Sequence, residues 1–408
     1  MKFLHAADIH LDSPLAGLAR RGAVPAHVTR DCTRRAFVNL IDLAITEDVA
    51  FVLISGDVFD GDWRDFSTGL FFAEQMKRLA RPCIILRGNH DAASLITRKL
   101  TLPPNVHEMS SRKVDRWVSH ELGVVVHGRS FPERHIPEDF SETYPGAEPG
   151  LLSIAMLHTS GEDPGEHEVY APCRIASLAG KGYDYWALGH IHARKILSRA
   201  PWIVFPGNIQ GRHARETGAK GVMLVQAEDR RITELSFRAT DVLRWASIEA
   251  DLDGAETMAD VALRLRLALL EQIAETEGRP ILARVILRGV TDLHAQFAAD
   301  PAAIEAECRN VALGTDIDIH IERVVLQTRT QNAGAGASAD LAEAFEKGLD
   351  ETETVQKLLA EFQKLRQDLP FIPGRGTVPV PQTVEELRHL VPEAWHLAAR
   401  LLREGDAG

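Results

Sequence analysis

Five short apolar runs in this chain stop abruptly at polar residues of the kinds that hold metal ions. Lys2–Ala7 ends at Asp8 and His10, Ala50–Ser55 at Gly56-Asp57, and Cys83–Arg87 at Gly88-Asn89-His90-Asp91. Ser153–Leu157 ends at His158, and Tyr185–Leu188 at Gly189-His190-Ile191-His192. Runs of roughly four to eight residues rich in Ile, Val, Leu and Phe, closed by Gly, read as buried strands. Helical patterns lie between the first of them, over Asp31–Glu47 and Ser67–Leu79. Strands alternating with helices argue an α/β fold, and in open α/β sheets ligands bind beyond the carboxyl ends of the strands. The shared position of the polar clusters at strand ends points to a single site.

The same reasoning adds strands at Val124–His127, Trp202–Phe205 and Gly221–Gln226, with a hairpin over Asp115–His127. Near residue 245 the pattern changes. Trp245–Leu252, Ile281–Gly289 and Asp316–Gln327 read as strands, and Thr257–Glu277 as a helix with Val261, Leu265, Leu269 and Ile273 on one face. This organisation predicts a domain over 1–245, a small α+β domain over 246–328, a linker over 329–339 and a helical region over 340–408. The linker contains AGAGAS, a flexible composition. The helical region is expected as helices at Asp340–Leu349, Glu353–Asp368 and Glu385–Arg403, interrupted by prolines.

Net charge is −12, which by itself disfavours a nucleic-acid binder. The charge is uneven, however: residues 1–245 carry 30 basic and 30 acidic side chains, and the whole excess lies beyond them. Residues 194–244 hold ten Arg and Lys against five Asp and Glu, so a local basic surface is compatible with the global sign. Apolar stretches such as Val49–Ser55 fall far short of the roughly 20 residues of a spanning helix, and no membrane association is expected. The apolar run at the N-terminus is broken by His5 and Asp8 and does not read as a signal peptide. Cys32, Cys83, Cys173 and Cys308 are widely separated, with no metal-ligand spacing, as expected of reduced thiols in a cytoplasmic protein.

Asp8, His10, Asp57, Asn89, His158, His190 and His192 mix carboxylate, amide and imidazole donors, which suits Mn, Fe, Zn, Ni or Co better than Ca or Mg alone. Seven donors are too many for one ordinary site. If one carboxylate bridges, they divide into two sets of four, and a pair of metal ions is the usual means of displacement at phosphorus. Asp8 and His10, like His190 and His192, are two apart and share one face of an extended chain. Gly56, Gly88 and Gly189 each precede a proposed donor, where a residue without Cβ lets backbone approach closely. Several other residues have a structural reading. His5 lies inside the first strand and reads as a satisfied core histidine, and His127 as structural. Trp63 and Arg64 read as packing rather than substrate contacts.

The ordered set DIH, GDVFD, GNHD, a lone His, then GHIH resembles the calcineurin-like metallophosphoesterase family over about residues 1–245. The stretches LHTS, YAPC, GYDYWALGHIH and PGNIQGRHARETGAKG are further similar to the SbcD/YhaO-type DNA repair exonucleases of that family. The resemblance implies a β-sandwich flanked by helices, then a small capping domain and a helical tail. It implies two divalent ions, manganese foremost, with Fe, Zn, Ni or Mg as alternatives. Asp8, His10, Asp57 and His192 would hold the first ion. Asp57 would bridge to the second, completed by Asn89, His158 and His190. His90 would be the catalytic histidine at the scissile phosphate, with Asp91 orienting it. The family's nucleases can carry a histidine where this chain has Asp60, which makes Asp60 structural or supporting. Arg212, His213 and Arg215 are candidate clamps on the phosphate backbone, or a loop paired with Glu216.

The resemblance implies hydrolysis of DNA phosphodiester bonds by metal-activated water, as an exonuclease with endonuclease activity as a further option. It also implies a partner, an SMC-like ATPase of the SbcC/YhaN type docked on the C-terminal helices, and a homodimer. Two other functions compete: a phosphoesterase for small nucleotides or phosphoproteins, and a non-catalytic scaffold for the ATPase. The fold cannot separate substrates. The intact donor set argues against the scaffold.

Overall fold

The computed structural model describes residues 1–13, 15, 29, 31–60, 66–93, 100–162, 170–330, 355–357, 359–362, 364, 381, 383 and 386. In chain order the elements begin with β1 (Lys2–Ala6), α1 (Cys32–Thr46), β2 (Phe51–Ile54), α2 (Phe66–Leu79), β3 (Cys83–Ile85), α3 (Asn89–Ala93) and β4 (Val106–Glu108). Next come β5 (Asp115–Ser119), β6 (Val124–Gly128), β7 (Leu152–His158), α4 (Ile175–Ala179), β8 (Tyr185–Gly189), β9 (Lys195–Arg199) and β10 (Trp202–Phe205). The last are β11 (Gly221–Glu228), β12 (Arg231–Ala239), β13 (Arg244–Asp251), α5 (Met258–Ala274), β14 (Ile281–Val290), α6 (His294–Ala299), α7 (Pro301–Leu313) and β15 (Ile319–Arg329).

Two six-stranded sheets dominate, in the orders β12-β11-β1-β2-β3-β4 and β5-β6-β7-β8-β10-β9. Strands β1 to β4 run parallel, as do β6, β7, β8 and β10, while β11, β12, β5 and β9 join antiparallel. The central strands are apolar on both faces because both faces are covered. Alternate residues go to opposite sides: Phe3, Phe51, Leu53, Ile154, Met156 and Tyr185 fill the space between the sheets. Leu4, Val52 and Ile54 face outward against Phe37, Leu40 and Ile41 of α1 and Phe72 and Met76 of α2. Ala155, Leu157, Trp186 and Leu188 face outward on the second sheet, under Phe131, Phe140, Tyr144 and Tyr170. The chain is thus an α/β protein with the expected helix-flanked sandwich.

The chain divides into two compact units. One comprises Met1–Ser247, Gln272–Arg284 and Thr315–Glu322; the other comprises Ile248–Glu271, Val285–Gly314 and Arg323–Gly408. A third sheet has the order β13-β14-β15, and α5 buries Val261, Leu265 and Leu269, the face expected from its spacing. None of the described helices is long and apolar enough to cross a membrane.

Several elements escape the sequence pattern. The edge strands β9 and β12 carry exposed charges, and β4 has only three residues. Strand β15 runs to Arg329, into the start of the expected linker. Helix α7 did have a readable start: Asp300 caps it by accepting from Ala303 N at 3.0 Å, and Pro301 occupies the first turn. The helix expected at Asp340–Leu349 lies outside the described residues, as do Trp63 and Arg64. Of Glu353–Asp368, residues 355–357, 359–362 and 364 are described and helical; of Glu385–Arg403 only residue 386 is described.

Candidate metal centre

The backbone ladder between β1 and β2 continues past the strands. Asp8 N donates to Gly56 O at 3.0 Å, His10 N to Asp57 O at 3.0 Å and Leu11 N to Val58 O at 2.9 Å. Along this extension the chain leaves the β region: φ is +52° at Asp8, +45° at His10 and +53° at Asp57, and +103° at His190 beyond β8. Non-glycine residues held at such angles store strain and need the surrounding structure to impose them. Here the imposed turns aim the side chains inward. All seven proposed donors meet at this end of the sandwich. Asp8, His10 and His192 offer atoms within 4.8 Å of one another, and so do Asp57, His158 and His190. Asn89 joins the second group through Oδ1, 3.0 Å from His158 Nε2.

The arrangement fits cations. His158 Nδ1 donates to Ser55 O at 2.9 Å, which leaves Nε2 as the inward atom. That atom faces two acceptors, Asn89 Oδ1 at 3.0 Å and Asp57 Oδ2 at 3.4 Å. A lone pair facing two oxygens requires a positive charge between them, either a proton or a metal ion. Without a metal the proton takes the place: against the cost of burial, the Asp57 charge and hydrogen bond raise the His158 pKa to about 9. In the other group, His192 Nδ1 is held 2.6 Å from Glu216 Oε1, so its Nε2 also points inward, 3.3 Å from His10 Nε2. Two nitrogens bonded to one ion at about 2.1 Å are roughly 3.0–3.4 Å apart. His10 Nδ1 is buried without a hydrogen-bond partner, so this ring is held from its Nε2 side. Asp57 Oδ2 lies 3.9 Å from His10 Nε2 as well as near His158, between the two groups, where a bridging carboxylate belongs.

The electrostatics suit this reading. Burial pushes the Asp8 carboxyl up, opposed by His192 and His158. Burial would raise Asp57 too, but His158, His90 and His10 outweigh it and hold it well below the usual carboxylate range. Burial, with Arg212 nearby, holds His10 well below the usual imidazole value, so it stays a neutral donor.

Two glycines make the packing possible. A Cβ on Gly88 would lie 2.3 Å from Asp57 Oδ1 and 2.7 Å from the His158 ring. A Cβ on Gly189 would lie 1.9 Å from Ser55 O, the carbonyl that orients His158.

His90 projects to the open side of the site, with its ring edge-on to His10 at 4.9 Å. The expectation that Asp91 orients it is corrected. Asp91 turns into the protein and accepts from Val58 N at 3.1 Å, Phe59 N at 2.8 Å and Gly88 N at 3.1 Å, pinning the two donor loops together. Burial and the Asp57 charge raise its carboxyl to about 7. The partner of His90 is Asp60, whose Oδ1 is 2.8 Å from His90 Nδ1. Asp60 also accepts from Ser13 Oγ at 2.6 Å and lies 3.6 Å from Arg212 Nη1. The His90 hydrogen bond, against burial, brings Asp60 down to about 2. Burial lowers His90, but the Asp60 bond and the Asp57 and Asp60 charges leave it above the ordinary imidazole value.

Among the three loop candidates the structure separates roles. Arg212 reaches the site: Nη1 donates to Ser13 Oγ at 3.2 Å beside Asp60. His213 instead pairs with Glu216 at 3.3 Å, and Arg215 N donates to His213 Nδ1 at 3.2 Å. Glu216 is a site residue that sequence reasoning left as a loop partner. Besides His192 it accepts from Asn208 Nδ2 at 2.9 Å and Arg212 N at 2.6 Å; against burial, His192 and then Arg212 hold it below the usual carboxylate range. His5 is satisfied by Tyr185 Oη at 2.9 Å and Leu188 O at 3.1 Å, and burial lowers it to about 3. His127 pairs with Glu148 at 3.3 Å, away from the donors.

Comparison with known proteins agrees with the geometry. Residues 1–194 match the family model of calcineurin-like phosphoesterases, and residues 245–329 that of the middle domain of metallophosphoesterase YhaO. The chain is 33% identical over 303 residues to the uncharacterized metallophosphoesterase YhaO of Bacillus subtilis, covering 71% of this chain and 72% of that protein. It is 28% identical over 204 residues to the DNA double-strand break repair protein Mre11 of Sulfolobus acidocaldarius, covering 48% of this chain and 50% of that one. It is 26% identical over 208 residues to Mre11 of Saccharolobus solfataricus, covering 49% and 51%.

Proposed function

The chain belongs to the calcineurin-like metallophosphoesterases of the YhaO type, which use divalent metal ions, and from that premise we propose that it hydrolyses DNA phosphodiester bonds. The observation that carries the reading is the convergence of inward-facing donors on Asp57 Oδ2, with His90 and Arg212 on the open side. Similarity to the Mre11 proteins over the first part of the chain supports DNA as the substrate. The first ion would be held by Asp8, His10, Asp57 and His192, and the second by Asp57, Asn89, His158 and His190, with manganese as the proposed metal. Bound ions of this kind neutralise phosphate oxygens and lower the pKa of a coordinated water.

The protein's own residues supply the rest. Asp60 holds the His90 ring through Nδ1 and favours its protonated form, so Nε2 can give a proton to the departing oxygen. Arg212 places a permanent positive charge beside this pair, suited to a phosphate oxygen. Ser55 O and Glu216 fix the tautomers of His158 and His192. Four buried free thiols support a reducing, cytoplasmic setting. An SMC-like ATPase partner on the C-terminal helices and a homodimer belong to the same proposal.

The test is a nuclease assay on end-labelled single- and double-stranded DNA with Mn, Mg or EDTA. Bis(4-nitrophenyl) phosphate hydrolysis is run in parallel. Mn-dependent cleavage lost in His90→Ala, with metal content unchanged, is the expected result. An active His90→Ala protein refutes the role of that residue. Small-diester hydrolysis without DNA cleavage would move the reading to a different phosphoester substrate.

A further inference from the structure

We propose that strand β9 and the residue before it form a cationic track that carries the DNA backbone away from the metal centre; this rests on the DNA reading above. Strand β9 begins three residues after His192 and is the outermost strand of its sheet. Its antiparallel register places Lys195 opposite Phe205 and Arg199 opposite Trp202. Strand β10 runs parallel to β8, whose carboxyl end leads into His190. Lys195 therefore lies at the metal-centre end of the sandwich edge, and Arg199 at the far end.

Arg194, Lys195 and Arg199 are all exposed. Among the described residues, none of the three has a carboxylate within ion-pair distance. Two of the three are held in place by aromatic rings. The Arg194 guanidinium lies 4.1 Å from the centroid of Phe237, and that of Arg199 lies 5.4 Å from the Trp202 ring. Stacking covers a guanidinium face and leaves its N–H edges free for phosphate oxygens. Charge on an edge strand also discourages strand pairing, but that role needs no alignment with the metal centre. Here the charges start two residues from His192. In a chain of net charge −12, a polyanion needs such a local approach.

A bulge lies between them, so Lys195 and Arg199 pair with Phe205 and Trp202, three residues apart, a span of about 10 Å. At about 3.4 Å of rise per nucleotide, that is about three nucleotides. The track would thus engage long DNA and leave small diesters unaffected.

The test uses the full chain in the presence of Mn with His90→Ala to prevent cleavage. Binding of a 20-base-pair duplex is followed by fluorescence anisotropy from 50 to 200 mM KCl. Arg194→Ala/Lys195→Ala/Arg199→Ala is compared with Arg194→Lys/Arg199→Lys. With a salt slope of about 0.9 per phosphate contact, three contacts predict that the alanine variant loses about 40-fold less affinity across this range than its parent. The lysine variant should keep the parental slope. Placed in the chain with His90 intact, the alanine substitutions should leave bis(4-nitrophenyl) phosphate hydrolysis unchanged, which shows an intact fold and site. An unchanged salt slope in the alanine variant overturns the track while leaving the nuclease reading standing. A protein that hydrolyses the small diester but neither binds nor cuts DNA overturns both.

Discussion

Gly88→Ala should dismantle the metal centre through a single methyl group. The added Cβ would sit 2.3 Å from Asp57 Oδ1 and 2.7 Å from His158 Cε1 and Nε2. Neither neighbour can retreat. Asp57 Oδ1 is bonded to His90 N at 2.9 Å, His158 Nδ1 to Ser55 O at 2.9 Å, and the two side chains are 2% and 0% exposed. Relief of the overlap costs about 2 kcal/mol, the middle of the range for overpacked cores. In a domain of this size that lowers Tm by roughly 4–8 °C. Both displaced side chains belong to the proposed second ion position, so Mn affinity should fall by about 10–100-fold, as when the supports of metal ligands are removed. The assays are calorimetric titration with Mn and thermal unfolding in EDTA. Gly146→Ala is the control, because its nearest neighbour is the Lys181 carbonyl oxygen at 3.9 Å. A Gly88→Ala protein with parental Mn affinity and Tm, or a Gly146→Ala protein that loses as much, would refute the steric reasoning.

Asp60→Asn removes the charge that raises His90 against burial and against Arg212 and leaves only a neutral amide acceptor for Nδ1. The alkaline limb of the rate profile should therefore move to lower pH, by about one unit if about 1.4 kcal/mol is lost; an unmoved limb refutes the pairing. The same linkage has a sign for stability. The His90 contribution is present below its unfolded pKa of about 6.5 and fades as pH rises through the raised folded value. The Asp60 contribution is present above about 3.9 and fades as pH falls towards about 2. Glu216→Gln takes the charge from His192 Nδ1 and should weaken Mn binding about 10-fold or more, read by titration, with the sandwich still folded. Unaltered Mn affinity in that variant would reduce Glu216 to a loop brace.

The sandwich was legible because its central strands are covered on both faces. Phe3 and Leu4, or Phe51 and Val52, go to different cores, so the runs are apolar throughout and stop sharply where the sheet stops. The edges were not legible. Strands β9 and β12 pair on one side only and tolerate charge, so KILSR and RITELSFRA carry no clear strand period. The candidate site was legible in its membership for the same reason as the strands: each donor follows a run that ends. Its supports were misread in one place and missed in another. Asp91 is next to His90 in sequence, but the helical turn of α3 sends the two side chains apart. Asp60 approaches His90 from another loop. Glu216 lies 24 residues from His192, with nothing local to connect them.

By itself the sequence determined which residue types stand at the strand ends, since burial of a strand on both faces forces polar groups to its terminus. Only the tertiary structure decided how those groups face one another. The positive φ angles at Asp8, His10, Asp57 and His190 are only weakly signalled by residue types that tolerate them, and they are held by contacts between separate strands. The tautomers of His158 and His192 follow from Ser55 O and Glu216, partners 103 and 24 residues away. Hydrogen bonds of that kind depend on distances in space, which sequence order does not encode.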